Sequence, residues 1–168
     1  MDTLSASVLR DRKPQIGIVL GSGLGALADR IEEAETLPYS DIPGFPVSTA
    51  PGHKGRFVFG TIGSKEVVLM DGRVHLYEGY TPQQVVMPIR LMRQMGVDTV
   101  ILTNASGGIR RDLHAGDLML LTDHISSLVP SPLRGENDPA LGVRFPDMRH
   151  VYDEDLQRLF RQTAKALD

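Results

Sequence analysis

Arg73, His75 and Tyr77 alternate along Arg73-Val74-His75-Leu76-Tyr77-Glu78-Gly79-Tyr80, and two glycine-marked segments stand on either side of that cluster in the sequence. A guanidinium can grip a phosphate through paired N–H bonds, and an imidazole can add a hydrogen bond or a titratable charge. If the backbone is extended, alternation puts the three side chains on one face. The same spacing also fits a solvated edge strand. The first glycine segment is Gly21-Ser22-Gly23-Leu24-Gly25, directly after an apolar run. Its N–H groups and the Ser22 hydroxyl can face a phosphate oxygen, helped by the dipole of a following helix, or the glycines can simply turn a strand into a helix. In the second, Thr103-Asn104-Ala105-Ser106-Gly107-Gly108, the Asn104 amide and the next N–H groups can meet an anion, or Asn104 can close an Asx turn. His53, in Pro51-Gly52-His53-Lys54-Gly55, can close over an anion from a loop or remain an exposed loop residue.

Elements with a strand-turn-helix rhythm must carry these groups. Ile16-Gly17-Ile18-Val19-Leu20 predicts a buried strand, and Leu24, Leu27 and Ile31 then recur at helical spacing. Pro38 to Gly55 predicts a long loop, and the segment before Asp41 does not predict a second buried strand. Phe57 to Phe59 and Val67 to Met70 predict a strand pair around Gly63-Ser64. Thr81-Pro82-Gln83-Gln84 starts a helix with a cap, a first-turn proline and a capping-box glutamine; Val85, Ile89 and Met92 continue its apolar face and Gly96 ends it. Pro88 inside that run predicts a kink or a boundary. Thr99 to Leu102 and Leu118 to Thr122 read as strands, Ser126 to Arg149 as loop, and Asp153 as the cap of a terminal amphipathic helix. Together these give one α/β domain over residues 1–168, with both glycine segments at strand carboxyl ends, where open α/β sheets bind ligands.

Composition narrows the chemistry. The chain has 168 residues, 41% hydrophobic and 23% charged, and a net charge of -3, so nucleic acid and anionic membrane surfaces are not expected partners and any anion site must be local. With no cysteine, thiolate metal sites and cysteine nucleophiles are excluded; the five histidines show no paired metal spacing, so no metal is expected. Met1 to Lys13 carries charges and no long apolar stretch, which predicts neither a signal peptide nor a membrane span and makes the cytoplasm the expected location. No Walker lysine follows the first glycine loop, and Ala105-Ser106-Gly107 lacks the first glycine of a nucleophile elbow. A dinucleotide fingerprint at Gly21, Gly23 and Ala26 lacks the second buried strand it requires.

In order along the chain, Gly21 to Gly25, Pro51 to Gly55, Gly72 to Tyr80, Thr103 to Gly108 and Val143-Arg144-Phe145-Pro146 resemble the motifs of the trimeric class of purine nucleoside phosphorylases. The resemblance implies a nucleoside phosphorylase-like mixed sheet flanked by helices, with the C-terminal part of that fold absent. It implies that Ser22, His53, Arg73, His75, Ala105 and Ser106 hold phosphate, that Tyr77, Asn104, Ala105 and Phe145 contact nucleoside, and that His75, Glu78 and Asn104 serve catalysis, Glu78 by supporting His75. Phe145 is similar to an aromatic residue that covers a neighbouring subunit's site, which implies a homo-oligomer, a trimer by family. The implied reaction is phosphorolysis of purine nucleosides, with inorganic phosphate as co-substrate and no cofactor. The alternative is a truncated phosphate-binding or assembly protein without turnover.

Overall fold

Three short runs rich in β-branched and aromatic residues set the centre of the sheet. The computed structural model describes residues 12–49 and 54–167. Strands β1 (Ile16–Leu20), β2 (Glu32–Pro38), β3 (Arg56–Ile62), β4 (Lys65–Asp71) and β5 (Thr99–Leu102) form one sheet in the order β2-β3-β4-β1-β5. β1 runs parallel to both β4 and β5, whereas β3 pairs antiparallel with β2 and β4. The sheet is therefore mixed, as expected from the resemblance, and β3 and β4 are the strand pair expected around Gly63.

Period-two alternation feeds two cores, one on each face. Val19, Phe57, Phe59, Val68 and Met70 join Tyr39, Ile42, Phe45, Met92, Met95 and Val97 on one side. On the other, Ile18, Leu20, Val58, Val67 and Leu69 pack with Ala28 and Ile31. The first core holds an aromatic nest, with the Tyr39 ring 4.9 Å from Phe45 and 5.0 Å from Phe57.

Helix α1 (Pro82–Gln94) carries the chain from β4 across to β5. Its start is the expected one: Gln84 N donates to Thr81 Oγ1 at 3.3 Å and Thr81 N donates to Gln84 Oε1 at 2.9 Å. At its end Gly96 takes φ 107°, so that Gly96 N reaches Arg93 O at 3.1 Å and Val97 N reaches Met92 O at 3.1 Å. This is a Schellman stop, closed by buried Met92 and Val97 in the same core. The helix does not end at Pro88, whose ring is fully buried; packing of that ring offsets the missing backbone bond. Gly17 lies beneath this helix, because a Cβ there would come within 2.9 Å of Met92 Sδ.

Other expectations need correction. The helix after the first glycine segment is only a 3-10 turn, Gly25–Arg30, because Ile31 leads at once into β2. A short 3-10 turn has little axial dipole to offer an anion. The stretch before Asp41 is indeed no buried strand, but it does pair: β2 is an exposed edge strand with a register shift between Glu32 and Glu35 and Glu33 at φ 51°. The loop from Pro38 opens with a 3-10 turn, Tyr39–Asp41.

The chain divides into two compact units, Met1–Ser106 and Gly107–Asp168. In the second, Leu118 to Thr122 forms no strand: it has no ladder partner among the described residues, and a strand needs one for its N–H and C=O groups. The unit instead holds a 3-10 turn, Pro139–Leu141, and helix α2 (Glu154–Leu167), capped as expected by Asp153 Oδ1, which accepts from Leu156 N at 2.8 Å. Arg144 Nη1 donates to Leu133 O and Gly135 O, each at 2.7 Å, and so gathers the loop before it. No helix among the described residues is long and apolar enough to cross a membrane.

Candidate active site

The three chemistry-bearing segments leave the sheet side by side. β1 pairs Leu20 with Asp71 of β4 and Val19 with Leu102 of β5, so Gly21, Gly72-Arg73 and Thr103 all emerge at the carboxyl ends of three parallel strands. That is the edge at which open α/β sheets form ligand crevices.

Thr103 fastens the two glycine segments together. Its hydroxyl donates to Val19 O at 2.8 Å and accepts Gly21 N at 2.8 Å. A Cβ on Gly21 would sit 2.7 Å from Asn104 Cα and 2.8 Å from Thr103 O, so only glycine lets the segments touch. Arg73 joins the same point, with Nη1 donating to Thr103 O at 2.7 Å. Next to it, Arg73 Nε lies 3.4 Å from His75 Nε2. Because Arg Nε can only donate, the His75 nitrogen facing it is the acceptor in this arrangement.

The other ring nitrogen, Nδ1, lies 2.8 Å from Glu78 Oε1, which also accepts His75 N at 2.8 Å. Glu78 Oε2 accepts from Thr49 N at 2.5 Å, Thr49 Oγ1 at 2.9 Å and Ser48 Oγ at 3.3 Å. Burial opposes the charged form of Glu78, but the Thr49 N–H, the His75 ring, the Thr49 hydroxyl and the His75 N–H together outweigh it and lower the carboxyl from 4.5 to about 2. Leu76–Glu78 is a 3-10 turn closed by Gly79 at φ 91°. Tyr77 therefore does not reach its place by extended-strand alternation; it stacks on the His75 ring at 4.6 Å with an interplanar angle of 20° and is otherwise exposed.

Below the cluster, Asp71 is buried at the end of β4 and accepts from Arg56 Nε at 2.9 Å, with Lys54 Nζ 3.8 Å away. Tyr39 Oη donates to Gly72 O at 2.7 Å; burial, and then the Asp71 charge, push its phenol well above the usual tyrosine range. The residues immediately before Arg73 are thus pinned on both sides.

Of the residues singled out from sequence, the structure brings together Arg73, His75, Tyr77 and Glu78, and it sets the Gly21 and Asn104 segments against each other. Ser22 is exposed on the first of these segments. The Asn104 amide is engaged locally, donating to Ser106 Oγ at 2.7 Å and approaching Ala105 O at 3.5 Å. Both bonds are made by the amide nitrogen, whereas an Asx turn needs the side-chain oxygen to accept a backbone N–H; Ala105 is exposed beside it. His53 lies outside the described residues, as does most of the amino-terminal stretch. Phe145 belongs to the second unit, where it is exposed beneath the Arg144 guanidinium, 5.9 Å from its ring centroid. Among the described residues no group of three His, Asp or Glu could hold a metal ion. Sequence reasoning overlooked Thr103, Ser48, Thr49, Asp71 and Tyr39; the only signal for Thr103 was its place at the end of a buried strand.

The fold and its strand-end cluster define an α/β protein whose parallel strands deliver polar and glycine-rich segments to one edge. The chain belongs to the phosphorylase superfamily, whose family model matches residues 15–168. It is similar to purine nucleoside phosphorylase 1 of Geobacillus stearothermophilus, 52% identical over 90% of this chain and 55% of that protein. It is also similar to the purine nucleoside phosphorylase of Bos taurus, 44% identical over 94% of this chain and 55% of the relative. A crystal structure of purine nucleoside phosphorylase with ribose-1-phosphate superposes with a TM-score of 0.88 at 42% identity, over 98% of this chain and 63% of that one. The Schistosoma mansoni enzyme with inosine gives a TM-score of 0.87 at 40% identity, over 98% and 59%. The chain thus spans about half the length of the curated relatives it matches.

Proposed function

We propose that this chain carries the phosphate-holding part of a purine nucleoside phosphorylase site and serves the phosphate-dependent cleavage of purine (deoxy)nucleosides to free base and (deoxy)ribose 1-phosphate. The observation that carries this reading is the junction of Arg73 with Thr103 and His75 at the ends of three parallel strands, in a chain whose relatives bear that enzyme name. Inorganic phosphate is the co-substrate, held by Arg73, His75, Ser22 and the Ala105-Ser106 backbone, with His53 closing from its loop; no cofactor is called for. Tyr77 on the His75 ring and Asn104 border the nucleoside, and Phe145 covers the sugar in a neighbouring copy of a homo-oligomer, with cytoplasmic residence to match.

The chemistry suits these groups. As the glycosidic bond stretches, positive charge grows on the sugar, and a phosphate fixed beside the anomeric carbon stabilises that charge. One phosphate oxygen then bonds to the anomeric carbon while the bonding pair leaves with the base nitrogen, which takes up a proton balanced by the one the hydrogen phosphate gives up. Positioning is the main contribution of Arg73 and the backbone donors. The test supplies inosine and phosphate to the purified chain and to Arg73→Ala. Free hypoxanthine should form with the first, and the rate should fall on the order of a hundredfold or more with the second. Phosphate binding, or an oligomer in sedimentation, without base release would support the non-catalytic alternative, and a chain that does none of these would sink both.

A further inference from the structure

Val47, Ser48 and Thr49 lie in no helix or strand, yet they are stitched to the turn that follows His75. Tyr80 Oη donates to Val47 O at 2.7 Å and accepts Val47 N at 3.1 Å. Thr49 and Ser48 then occupy one oxygen of Glu78, while His75 occupies the other. The Glu78 side chain is only 2% exposed, so water has little access to this carboxylate. A continuous path runs from Thr49 through Glu78, His75 and Arg73 to Thr103.

We propose that Thr49, assisted by Ser48, is a positioning residue for the anion site, acting through Glu78 to fix the tautomer and ring orientation of His75. The inference rests on the proposed phosphate site, in which Arg73 grips the anion and His75, its Nδ1–H given to Glu78, meets it at Nε2 by accepting a phosphate O–H beside the Arg73 donor. Carboxylate rotation about the last side-chain bond of glutamate is loosely restrained by the chain itself. With Oε2 held by the Thr49 N–H and hydroxyl, Oε1 is fixed toward His75. Nδ1 then keeps its proton, and Nε2 is left as the nitrogen turned to Arg73; which imidazole nitrogen is protonated follows from the bond the other makes. Without the hydroxyl, Oε1 is less firmly aimed and the Nε2–H tautomer becomes accessible, which sets a donor against the Arg73 donor. The Tyr80 contacts to Val47 are separate from those to Glu78, so the strap has an anchor that a Thr49 substitution leaves in place.

The experiment combines phosphate titration with nitrogen NMR of the histidine rings in the full chain. In the wild type His75 should show one tautomer, protonated at Nδ1. T49V should show a mixture of tautomers and bind inorganic phosphate about three- to tenfold more weakly, and T49S, which keeps the hydroxyl, should restore both readouts. If T49V leaves the tautomer unchanged, or if T49S is as impaired as T49V, the proposal is overturned. Should T49V fail to fold, S48A is expected to shift both readouts the same way to a smaller extent, and an unshifted tautomer in S48A overturns it equally. A wild-type chain that binds no phosphate defeats the proposed function, while the tautomer comparison still decides the role of Thr49.

Discussion

Glu78 has a carboxylate whose two oxygens serve different masters: Oε1 the His75 ring and backbone, Oε2 the Ser48-Thr49 strap. Its depressed folded-state value, about 2 against an ordinary 4.5, means that it binds its proton less readily folded than unfolded. Its contribution to stability is therefore complete above about pH 4.5 and is lost as pH falls toward 2. Urea unfolding of the wild type and Glu78→Gln should differ by a constant amount near neutrality, and the gap should narrow through that acid window; a gap independent of pH would contradict the assignment. At this scale the sequence exposed residue types but not partners. Arg73, His75 and the glycines were legible because their chemistry is local and their spacing short. Thr103 was not, since its hydroxyl acts on Gly21, 82 positions away, and neither was Thr49, whose bond to Glu78 closes over 29 positions.

Helix α1 and the strands beside it were the most readable elements. Thr81, Pro82 and Gln84 at its start, and Gly96 at its end, are instructions that the backbone itself executes, each within a few residues. Thr81→Ala should remove one hydrogen bond of the capping box and lower the unfolding free energy by about 1 kcal/mol, measured by urea denaturation, while Thr81→Ser should stay close to wild type. β1, β3 and β4 were legible from their apolar runs because both of their faces are buried. Elements that depend on a distant partner were not. Leu118 to Thr122 has strand-like composition but no neighbour among the described residues to complete a ladder, and β2, with polar composition, becomes a strand because β3 offers it an edge. Pro88 is tolerated for the same kind of reason, since the face it presents is the buried one.

Across the whole chain, protection is divided unevenly. Every fully buried hydrophobic side chain among the described residues lies between Pro14 and Val97, and residues 107–167 contribute none. Local opening free energy tracks buried contacts and enclosed hydrogen bonds. Amide exchange should accordingly be slowest in β1, β3 and β4 and much faster through residues 107–153, and equal protection in both would refute this division. The large apolar side chains exposed in the second unit, Ile109, Leu118, Ile125, Leu128 and Phe145, belong to a chain that spans about half the length of its relatives.

By itself the sequence determined the α/β rhythm, the caps of both helices, the strand-end position of both glycine segments and, through ordered motifs, the family. Those features are set by local sterics, hydrogen bonding and alternation, which act over a few residues. Only the tertiary structure decided that Gly21 must yield space to Asn104, that Arg73 closes on Thr103, that Asp71 is held by Arg56, and that a strap of Val47 to Thr49 reaches His75 through Glu78. Such contacts join residues far apart in the chain, and their partners are chosen by the order and register of the strands, which no short stretch of sequence specifies.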